Sequence, residues 1–576
     1  MTQGMRKGLT SYGDPDFSLF LRKAFIKAMG LSDDALSRPV VGIANTFSDY
    51  NACHSNVPKL VEAIKRGVML AGALPMEFPT ISIHESFAHP TSMFLRNLMA
   101  MDTEEMIRAQ PMDAVVLIGG CDKTIPAQMM AAASADVPAI IVPVGPMLVG
   151  HYQGEALGAC TDCRRLWGEH RGGRIDGPKI DRINERLAPT PGTCMVMGTA
   201  STMACMVEAM GLALPRSASA PATHADRLRI AEASGQCAAA LAVKGGPRPS
   251  QLMTPAAFRN AMIVLQAIGG STNGLVHLTA AAGRLGIRID LTEFDQLGRD
   301  VPVLVDLKPS GKHYMEDFHW AGGVPRLLKE LDALLDLSAL TVTGGTLHDR
   351  VDAAEEVHGQ DVIRTRASPI TPFGSMAVLH GNLAPRGAII KQSAASHQLM
   401  THTGRAVVFE SVQDLTERID DPALDVTADD VLVLRNAGPR GAPGMPEAGY
   451  LPIPRKLAQQ GVKDMVRLSD ARMSGTAFGT IVLHITPESA VGGPLALVQS
   501  GDQIALDVPM RRIDVLVDEA ELSRRRAAQG NVPSRGAAPT PDRGYAALFH
   551  RSVLQADQGC DFDFLVPPGE RDVHGN

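Results

Sequence analysis

The sequence has few aromatic residues and no long apolar run, and both scarcities limit the class of protein. Aromatic residues make up 4% of the 576 residues, against 45% hydrophobic residues overall, so the core must rest on aliphatic packing. No run of 18 apolar residues long enough to cross a bilayer is present, and the N-terminal stretch MTQGMRKGLTSYGDPDF has no apolar signal segment. We therefore expect a cytoplasmic protein that has no membrane partner.

The sequence also lacks a large excess of one sign of charge. The 55 basic and 62 acidic residues give a formal net charge of −7. This balance provides no broad positive field for nucleic acid or for an anionic membrane. We expect a small molecule as the partner and no nucleic acid.

Cysteine is sparse, with eight residues in the whole chain. Such a number cannot form a disulfide framework in a chain of this length. In a reducing compartment, these cysteines are expected to be buried thiols, metal ligands or catalytic groups.

The first two thirds of the chain alternate short apolar runs with helical segments. The runs PVVGIANT, DAVVLIGG and PAIIVPVGP are typical of buried strands, and HSNVPKLVEAIKRGVMLAG and IPAQMMAAASADV have helical spacing. This alternation predicts an α/β domain whose parallel sheet is covered by helices.

The pattern changes near Ser368. Short β-branched runs separated by Gly and Pro follow, among them GRAVVFE, DDVLVLRN, GTIVLHI, DQIALDV and RRIDVLVD. They predict a C-terminal β-barrel-like domain with a few helices. We place the boundary at residue 367, which gives domains of 1–367 and 368–576, and we expect residues 531–544 to form a surface loop.

Three cysteines lie at the ends of predicted elements. Cys121 follows the strand VVLIGG, and Cys53 and Cys194 lie in polar or Gly-rich turns next to predicted helices, where backbone N–H groups stabilise a thiolate. Any one of them could instead be a small buried thiol. If the three converge, they could hold a soft metal centre, and a cluster held by three cysteines leaves one iron open.

The other five cysteines have weaker claims. Cys160 and Cys163 have CxxC spacing, but no second such pair exists to complete a structural zinc site. Cys205, Cys237 and Cys560 are most simply packing residues.

Hard ligands accompany the soft ones. Asp122 is next to Cys121, Glu85 follows an apolar run, and Glu447 lies in a Gly- and Pro-rich loop of the second domain. Carboxylates on loops at a domain junction could hold Mg²⁺, although each of them alone could be a solvated loop acid. Lys123, beside Asp122, could be a simple ion-pair cation.

Ordered motifs along nearly the whole chain resemble one enzyme family. They are GIANTFSDYNACHSNV, GGCDKTIPAQMMAAAS, GTCMVMGTASTM, AIGGSTNGLVHL, VLHGNLAPRGAIIK, GPRGAPGMPE and DMVRLSDARMSGTAFGTIVLHITPESA. The family includes dihydroxy-acid dehydratase, 6-phosphogluconate dehydratase and the sugar-acid dehydratases. Within it the chain is most similar to the L-arabinonate and D-xylonate branch, because Cys53 is present and because Glu85 stands where the branched-chain enzymes typically carry Asp.

The resemblance implies a ligand set for two metal centres. Cys53, Cys121 and Cys194 match the ligands of an iron–sulfur cluster, and the presence of Cys53 favours 2Fe–2S over 4Fe–4S. The implied Mg²⁺ ligands are Glu85, Asp122, Glu447 and a carbamylated Lys123. A carbamate would supply an anionic oxygen where an ammonium would repel the cation.

The resemblance also implies a mechanism. Ser474 matches the catalytic base, which as an alkoxide would take the C2 proton of a 2,3-dihydroxy carboxylate, while the open iron would assist loss of the 3-hydroxyl and yield a 2-keto-3-deoxy acid. Thr161 and Thr476 are expected to hydrogen-bond the substrate or the departing hydroxyl. Gly475 would let the backbone approach the ligand closely.

Two alternatives stay open at this point. One is dihydroxy-acid dehydratase activity on 2,3-dihydroxyisovalerate in branched-chain amino-acid synthesis, which requires an apolar pocket instead of a hydroxyl-pairing one. The other is an iron–sulfur electron carrier or sensor, which would have no need for the hard ligands or for Ser474. The resemblance further implies a homodimer or homotetramer.

Overall fold

The computed structural model of the protein describes residues 3–10, 12–529, 536 and 538–567. Residues 531–535 and 537 of the predicted surface loop at 531–544 lie outside these residues. Within them, no helix is both long enough and apolar enough to cross a membrane.

The N-terminal part contains a four-stranded parallel sheet in the order β2-β1-β3-β4. The central strand β3 and the edge strand β4 are buried at every position, as expected of a parallel sheet covered on both faces. The predicted α/β domain with a parallel sheet is therefore confirmed, and β2 is a strand that the apolar runs had not revealed. The strands are β1 (Val40–Asn45), β2 (Leu74–Pro79), β3 (Ala114–Gly119) and β4 (Ala139–Pro143), followed by the hairpin β5 (Gly150–Tyr152) and β6 (Glu155–Leu157).

Helices surround this sheet and fill most of the chain up to residue 352. They are α1 (Pro15–Lys27), α2 (Asp33–Leu36), α3 (Val57–Leu70), α4 (Ser92–Ala109), α5 (Thr124–Ala135), α6 (Thr161–Arg171), α7 (Gly177–Asn184), α8 (Thr199–Ala209), α9 (Ala225–Lys244), α10 (Pro249–Leu252), α11 (Pro255–Ala267), α12 (Thr272–Gly283), α13 (Leu291–Asp300), α14 (Met315–Trp320), α15 (Gly323–Glu330) and α16 (Leu347–Asp352).

Helices α3 and α9 approach each other at two glycines. A Cβ added at Gly67 would lie 2.0 Å from the carbonyl oxygen of Glu232, and one at Gly235 would lie 2.3 Å from that of Ile64. Because real Cβ atoms do not approach backbone so closely, these two positions let the helix backbones touch. The close contact fixes α3, and with it the loop that carries Cys53 just before the helix.

The C-terminal part contains an eight-stranded mixed sheet in the order β14-β13-β9-β10-β11-β12-β8-β7. Strands β9 to β12 are parallel, and antiparallel strands flank them on both sides. The strands are β7 (Ala377–Leu379), β8 (Gly387–Ile390), β9 (Thr401–Phe409), β10 (Val431–Leu434), β11 (Arg467–Ser469), β12 (Ile481–Thr486), β13 (Gln503–Asp507) and β14 (Arg512–Val515), with helices α17 (Val412–Arg418), α18 (Arg455–Gln459), α19 (Glu519–Gln529) and α20 (Gly544–Ser552).

The two edges of this sheet come together. His380, just after β7, forms a bridge with Arg512 of β14, and the N–H of His380 donates to the carbonyl of Arg511 at 2.9 Å. The sheet is therefore nearly closed, which confirms the predicted barrel-like second part with a few helices. The parallel arrangement of its central strands is a feature that the β-rich pattern did not predict. The predicted domain boundary at residue 367 lies between α16 and β7.

Candidate functional site

Carboxylates from both sheets meet between them. Glu85 follows β2, Asp122 follows β3, and Glu447 begins a short 3₁₀ turn, Glu447–Tyr450, in the segment between β10 and β11. Carboxylate oxygens of these three residues all lie within 4.8 Å of one another. The first two are at the carboxyl ends of parallel strands, where ligands collect in open α/β sheets. The structure thus brings together the three acids that the sequence analysis singled out.

A buried arginine, Arg472, connects two of these acids. Its Nη1 donates to Glu447 Oε1 at 2.6 Å, and its Nη2 donates to Glu85 Oε1 at 3.0 Å. Glu85 also accepts hydrogen bonds from Thr91 and Ser92 at the start of α4. Arg472 was not among the residues predicted from the sequence, although it lies two residues before Ser474 in the motif DARMSG.

Burial and nearby charges shift the pKa values of Glu85 and Glu447 in opposite directions. Burial by itself would raise the pKa of Glu85, but the charges of Arg472 and Lys123 and the Ser92 hydrogen bond outweigh it and lower the pKa to about 2. Burial and the nearby charge of Glu85 raise the pKa of Glu447 above its ordinary value. The site therefore favours a fully charged Glu85 and disfavours charge on Glu447 unless a further cation is present.

Lys123 is fully buried beside the acids. Its Nζ lies 3.7 Å from Glu85 Oε2 and 3.8 Å from Asp122 Oδ2, and it has no hydrogen-bond partner in the part of the chain that the structure describes. Buried ammonium groups are nearly always hydrogen-bonded. Three clustered carboxylates and an unsatisfied amine therefore fit an oxygen-ligated divalent cation, with the amine available for modification.

Two thiols adjoin the acids. Cys121 immediately precedes Asp122, and the thiols of Cys53 and Cys121 lie within 4.8 Å of each other. The neighbouring Cys121 thiol, burial and the nearby Cys194 raise the pKa of Cys53 well above its ordinary value. Possible ligand atoms of Cys53, Cys121 and His84 lie within 4.8 Å of one another. The N–H of Cys121 donates to the Nε2 atom of His54 at 3.2 Å, which fixes the loop after β3.

Cys194 reaches the same region from an extended segment beyond β4. Met147 N–H donates to the carbonyl of Thr193 at 2.9 Å, and Thr193 N–H donates to that of Gly145 at 3.0 Å, so the segment continues the sheet. The thiol of Cys194 lies 3.1 Å from that of Cys160. Cys194 thus lies on a segment next to the one that carries Cys121, an arrangement that could hold a soft-metal centre together with Cys53, and Cys160 is a further thiol that sequence spacing had not favoured.

The segment that carries Ser474 lies against the N-terminal part. Asn273 Nδ2 donates to the carbonyl of Met473 at 3.0 Å, and Ser474 and Thr476 share a hydrogen bond of 2.8 Å between their hydroxyls. The Thr161 hydroxyl donates to the carbonyl of Thr476 at 3.0 Å. A Cβ at Gly475 would lie 2.7 Å from the backbone nitrogen of Thr199 at the start of α8. The four residues predicted around the base are thus held together at the junction.

Arg164 adds a further cation to the junction. Its Nη2 lies 3.9 Å from Glu447 Oε2, and its guanidinium lies over the Tyr450 ring at 5.3 Å. Its Nε is buried without a hydrogen-bond partner among the described residues. Neither arginine could be assigned to the site without the fold, because Arg472 pairs with Glu85 and Arg164 with Glu447, partners that are distant in the sequence.

Comparisons with known proteins agree with this architecture. The family model described as dihydroxy-acid/6-phosphogluconate dehydratase N-terminal matches residues 38–350, and the corresponding C-terminal model matches residues 361–560. The chain therefore belongs to the dihydroxy-acid/6-phosphogluconate dehydratase family. The family resemblance predicted from the sequence motifs is confirmed.

Individual relatives cover nearly the whole chain. An L-arabonate dehydratase of Azospirillum brasilense is 47% identical over 560 residues, which are 96% of each chain. A 6-deoxy-6-sulfo-D-gluconate dehydratase of Pseudomonas putida is 44% identical over 95% of this chain and 94% of its own. A dihydroxy-acid dehydratase of Caldanaerobacter subterraneus is 38% identical over 94% of this chain and 96% of its own.

Proposed function

We propose that the protein is a hydro-lyase that converts a sugar acid, such as L-arabinonate, D-xylonate or D-gluconate, into its 2-keto-3-deoxy acid. The observation that carries the proposal is the junction itself, where an oxygen-rich site and a thiol site adjoin at Cys121 and Asp122, with Ser474 on the facing segment. The relatives named for sugar acids are 44% and 47% identical, against 38% for the dihydroxy-acid dehydratase, and this difference supports the choice of substrate.

The oxygen-rich site would hold Mg²⁺. Glu85, Asp122 and Glu447 supply clustered carboxylate oxygens, and Lys123, carbamylated on its unsatisfied Nζ, would complete the ligand set. The raised pKa of Glu447 supports this role, because a bound cation would stabilise its charged form. In this reading Arg472 orients Glu85 and Glu447 and does not bind the metal.

The thiol site would hold a 2Fe–2S cluster on Cys53, Cys121 and Cys194. When bound, the cluster on these thiols and Mg²⁺ on the carboxylates would supply Lewis acidity that lowers the pKa of the C2 proton and assists departure of the 3-hydroxyl. No net oxidation or reduction is required. An electron carrier would have no need of the hard ligands and the serine that adjoin the thiols. The presence of Glu85, Asp122, Lys123, Glu447 and Ser474 there therefore argues for chemistry on a substrate.

Ser474 would be the base that removes the C2 proton. Ser474 is 7% exposed, and its hydroxyl shares a hydrogen bond with that of Thr476, which can donate to an alkoxide. The Thr161 hydroxyl donates to the backbone carbonyl of Thr476. Thr161 would therefore position Thr476 instead of contacting the substrate itself, as had been expected from the sequence. Gly475 keeps the segment close to α8, which holds Ser474 in place.

Arg164 favours a hydroxylated substrate over a methylated one. Its buried Nε has no partner among the described residues, and we assign it to an oxygen of the sugar acid. If 2,3-dihydroxyisovalerate placed methyl groups there, the donor would stay unpaired at a cost of about 1–3 kcal/mol.

Replacement of the base tests the proposed reaction. In Ser474→Ala we expect the visible cluster spectrum and the Mg²⁺ affinity to persist while keto-acid formation is lost. Ser489→Ala is the matched control, since this buried serine belongs to a 3₁₀ turn after β12 and should leave turnover unchanged. Turnover that survives in Ser474→Ala would remove Ser474 from the mechanism.

A substrate panel tests the proposed specificity. kcat/KM is measured for L-arabinonate, D-xylonate, D-gluconate and 2,3-dihydroxyisovalerate with the wild type and with Arg164→Met. We expect a preference for a sugar acid, and the variant should lose more on sugar acids than on 2,3-dihydroxyisovalerate. A clear preference of the wild type for 2,3-dihydroxyisovalerate would assign the protein to branched-chain synthesis.

We also propose a cytoplasmic homodimer or homotetramer. The support is the family membership, together with cluster thiols that need a reducing compartment. Sedimentation of the purified protein measures the assembly state, and a monomer at micromolar concentration would contradict the proposal.

A further inference from the structure

Four thiols at the junction form two pairs. The Cys53 and Cys121 thiols lie within 4.8 Å of each other, and the Cys160 thiol lies 3.1 Å from that of Cys194. The two pairs are on neighbouring segments, because Val144 N–H donates to the carbonyl of Gly119, just before Cys121, at 2.9 Å, and Thr193 N–H, just before Cys194, donates to that of Gly145 at 3.0 Å. Three of these residues are the cluster ligands of the proposed function, and the fourth, Cys160, has no role in it.

A 2Fe–2S cluster has four terminal ligand positions, two on each iron. If the adjacent thiols of Cys53 and Cys121 serve one iron, Cys194 serves the other, and the second position on that iron lies beside Cys194. We propose that Cys160 fills this position in the substrate-free enzyme, so that the resting cluster has four thiolate ligands. This inference rests on the proposed cluster and extends it to a further residue.

The backbone supports a special role for Cys160. The residue has φ of +74° and ψ of −43° immediately before α6, a conformation that is unfavourable for any residue with a Cβ. The turn is held by its neighbours: Ala159 N–H contacts the Met195 sulfur at 2.8 Å, and Gly158 N–H donates to Asp162 at 2.7 Å. These contacts keep the thiol directed at Cys194 despite the local strain.

Two other side chains compete for the same role and fit it less well. His84 groups with Cys53 and Cys121, on the side where two thiols already serve one iron, and its Nδ1 accepts a hydrogen bond from the Ser86 N–H at 3.2 Å. Cys163 lies one helical turn beyond Cys160 in α6. Among the described residues, it is the thiol of Cys160 that contacts that of Cys194, at 3.1 Å.

A fourth thiolate has a consequence for substrate binding. The position that Cys160 fills is the one that the proposed reaction needs open, so substrate and Cys160 compete for it. Substrate should therefore change the spectrum of the resting cluster in the wild type. It should change that of a Cys160 variant much less, because the position is already vacant.

Spectroscopy of the reconstituted holoenzyme tests the inference independently of turnover. Visible absorption and electron paramagnetic resonance of the reduced protein are recorded for the wild type, Cys160→Ala, Cys163→Ala and His84→Ala, each with its iron and sulfide content. We expect Cys160→Ala to keep two irons per chain, to lose about a quarter of the thiolate-to-iron absorption and to shift its g values. Cys163→Ala should match the wild type, and L-arabinonate should move the wild-type spectrum towards that of Cys160→Ala.

The outcomes separate this inference from the proposed function. If the spectra of Cys160→Ala and the wild type coincide at equal iron content, or if His84→Ala gives the shift instead, Cys160 is not a ligand, although a dehydratase with three cysteine ligands stands. If the wild type binds no cluster at all, both fail. If Cys160→Ala loses its iron, a Cys160→Ser variant that retains iron with shifted g values supports the inference, and one with wild-type g values overturns it.

Discussion

Gly475 offers the most direct test of how closely the two parts of the molecule must fit around Ser474. A Cβ at this position would lie 2.6 Å from the Cβ of Ser271, 2.7 Å from its Oγ and 2.7 Å from the backbone nitrogen of Thr199. All three contacts are about 1 Å shorter than an ordinary van der Waals separation of roughly 3.5–4.0 Å. All three atoms belong to Ser271, which caps α12, or to Thr199, which begins α8, so the segment of Ser474 must move instead.

The size of this movement sets the expected effect of Gly475→Ala. Overpacking of a buried contact costs about 1–3 kcal/mol of stability, and a displacement of about 1 Å in a positioned catalytic group lowers kcat about 10²-fold. We therefore expect a modest fall in the urea midpoint and a large fall in kcat, with iron content unchanged. Steady-state kinetics on L-arabinonate and urea unfolding measure both effects on the same preparation.

Gly168 in α6 is the matched control. A Cβ there would meet no heavy atom within 4 Å, and alanine is a better helix former than glycine by about 1 kcal/mol. Gly168→Ala should keep full activity and a slightly higher urea midpoint. If Gly475→Ala retained wild-type kcat, the close contact with α8 would not position Ser474, and the assignment of the base at this junction would lose its structural support.

Three further predictions concern charge. Arg472→Gln removes a buried guanidinium from two partly buried carboxylates. It should lower the free energy of unfolding in chelator by at most about 3–5 kcal/mol, and by less in saturating Mg²⁺. Arg512→Gln loses an exposed pair with Asp514 and should lower it by no more than about 1 kcal/mol, both measured by urea unfolding. Asp122→Asn should weaken Mg²⁺ binding at least about 10-fold by calorimetry, because it removes an anionic ligand. Burial lowers the pKa of Lys391 from 10.5 to about 7. Between these two pH values the unfolded chain binds a proton that the folded chain does not, so the free energy of unfolding of the wild type should rise with pH. Lys391→Met should raise the free energy of unfolding by up to about 5 kcal/mol at pH 7 or below, and by almost nothing near pH 10, as measured by urea unfolding.

The sequence predicted the elements that have strong periodicity. The three apolar runs became β1, β3 and β4, and GTIVLHI and DQIALDV became β12 and β13. Strand β2 was missed because LPMEFP contains two prolines and only two fully buried residues, which is the composition of a turn. The parallel order of β9 to β12 could not be predicted, since strand direction depends on how the connections cross and the apolar runs record burial alone.

Site residues that directly follow strands could be predicted from the sequence. Contacts between side chains that are distant in the sequence could not. Asp122 and Glu85 follow β3 and β2, so strand ends alone bring them close. The contact of Cys160 with Cys194 depends on a strained turn before α6, and the bridge from Arg472 to Glu85 spans 387 positions. Neither contact leaves a trace in local periodicity, and the roles of all these residues rest on the proposed function.

The adjacency of Cys121 and Asp122 explains how one protein can offer soft and hard ligands to a single small substrate. Consecutive Cα atoms are about 3.8 Å apart, so a thiol site on one residue and a carboxylate site on the next cannot separate by more than their side chains allow. The proposed dehydration acts on two neighbouring carbons, one that loses a proton and one that loses a hydroxyl. The thiol of Cys53 lies within 4.8 Å of that of Cys121, and Arg472 holds Glu85 and Glu447 together at the carboxylate site. An insertion between Cys121 and Asp122 would therefore leave both ligand sets present and still prevent them from acting on one molecule.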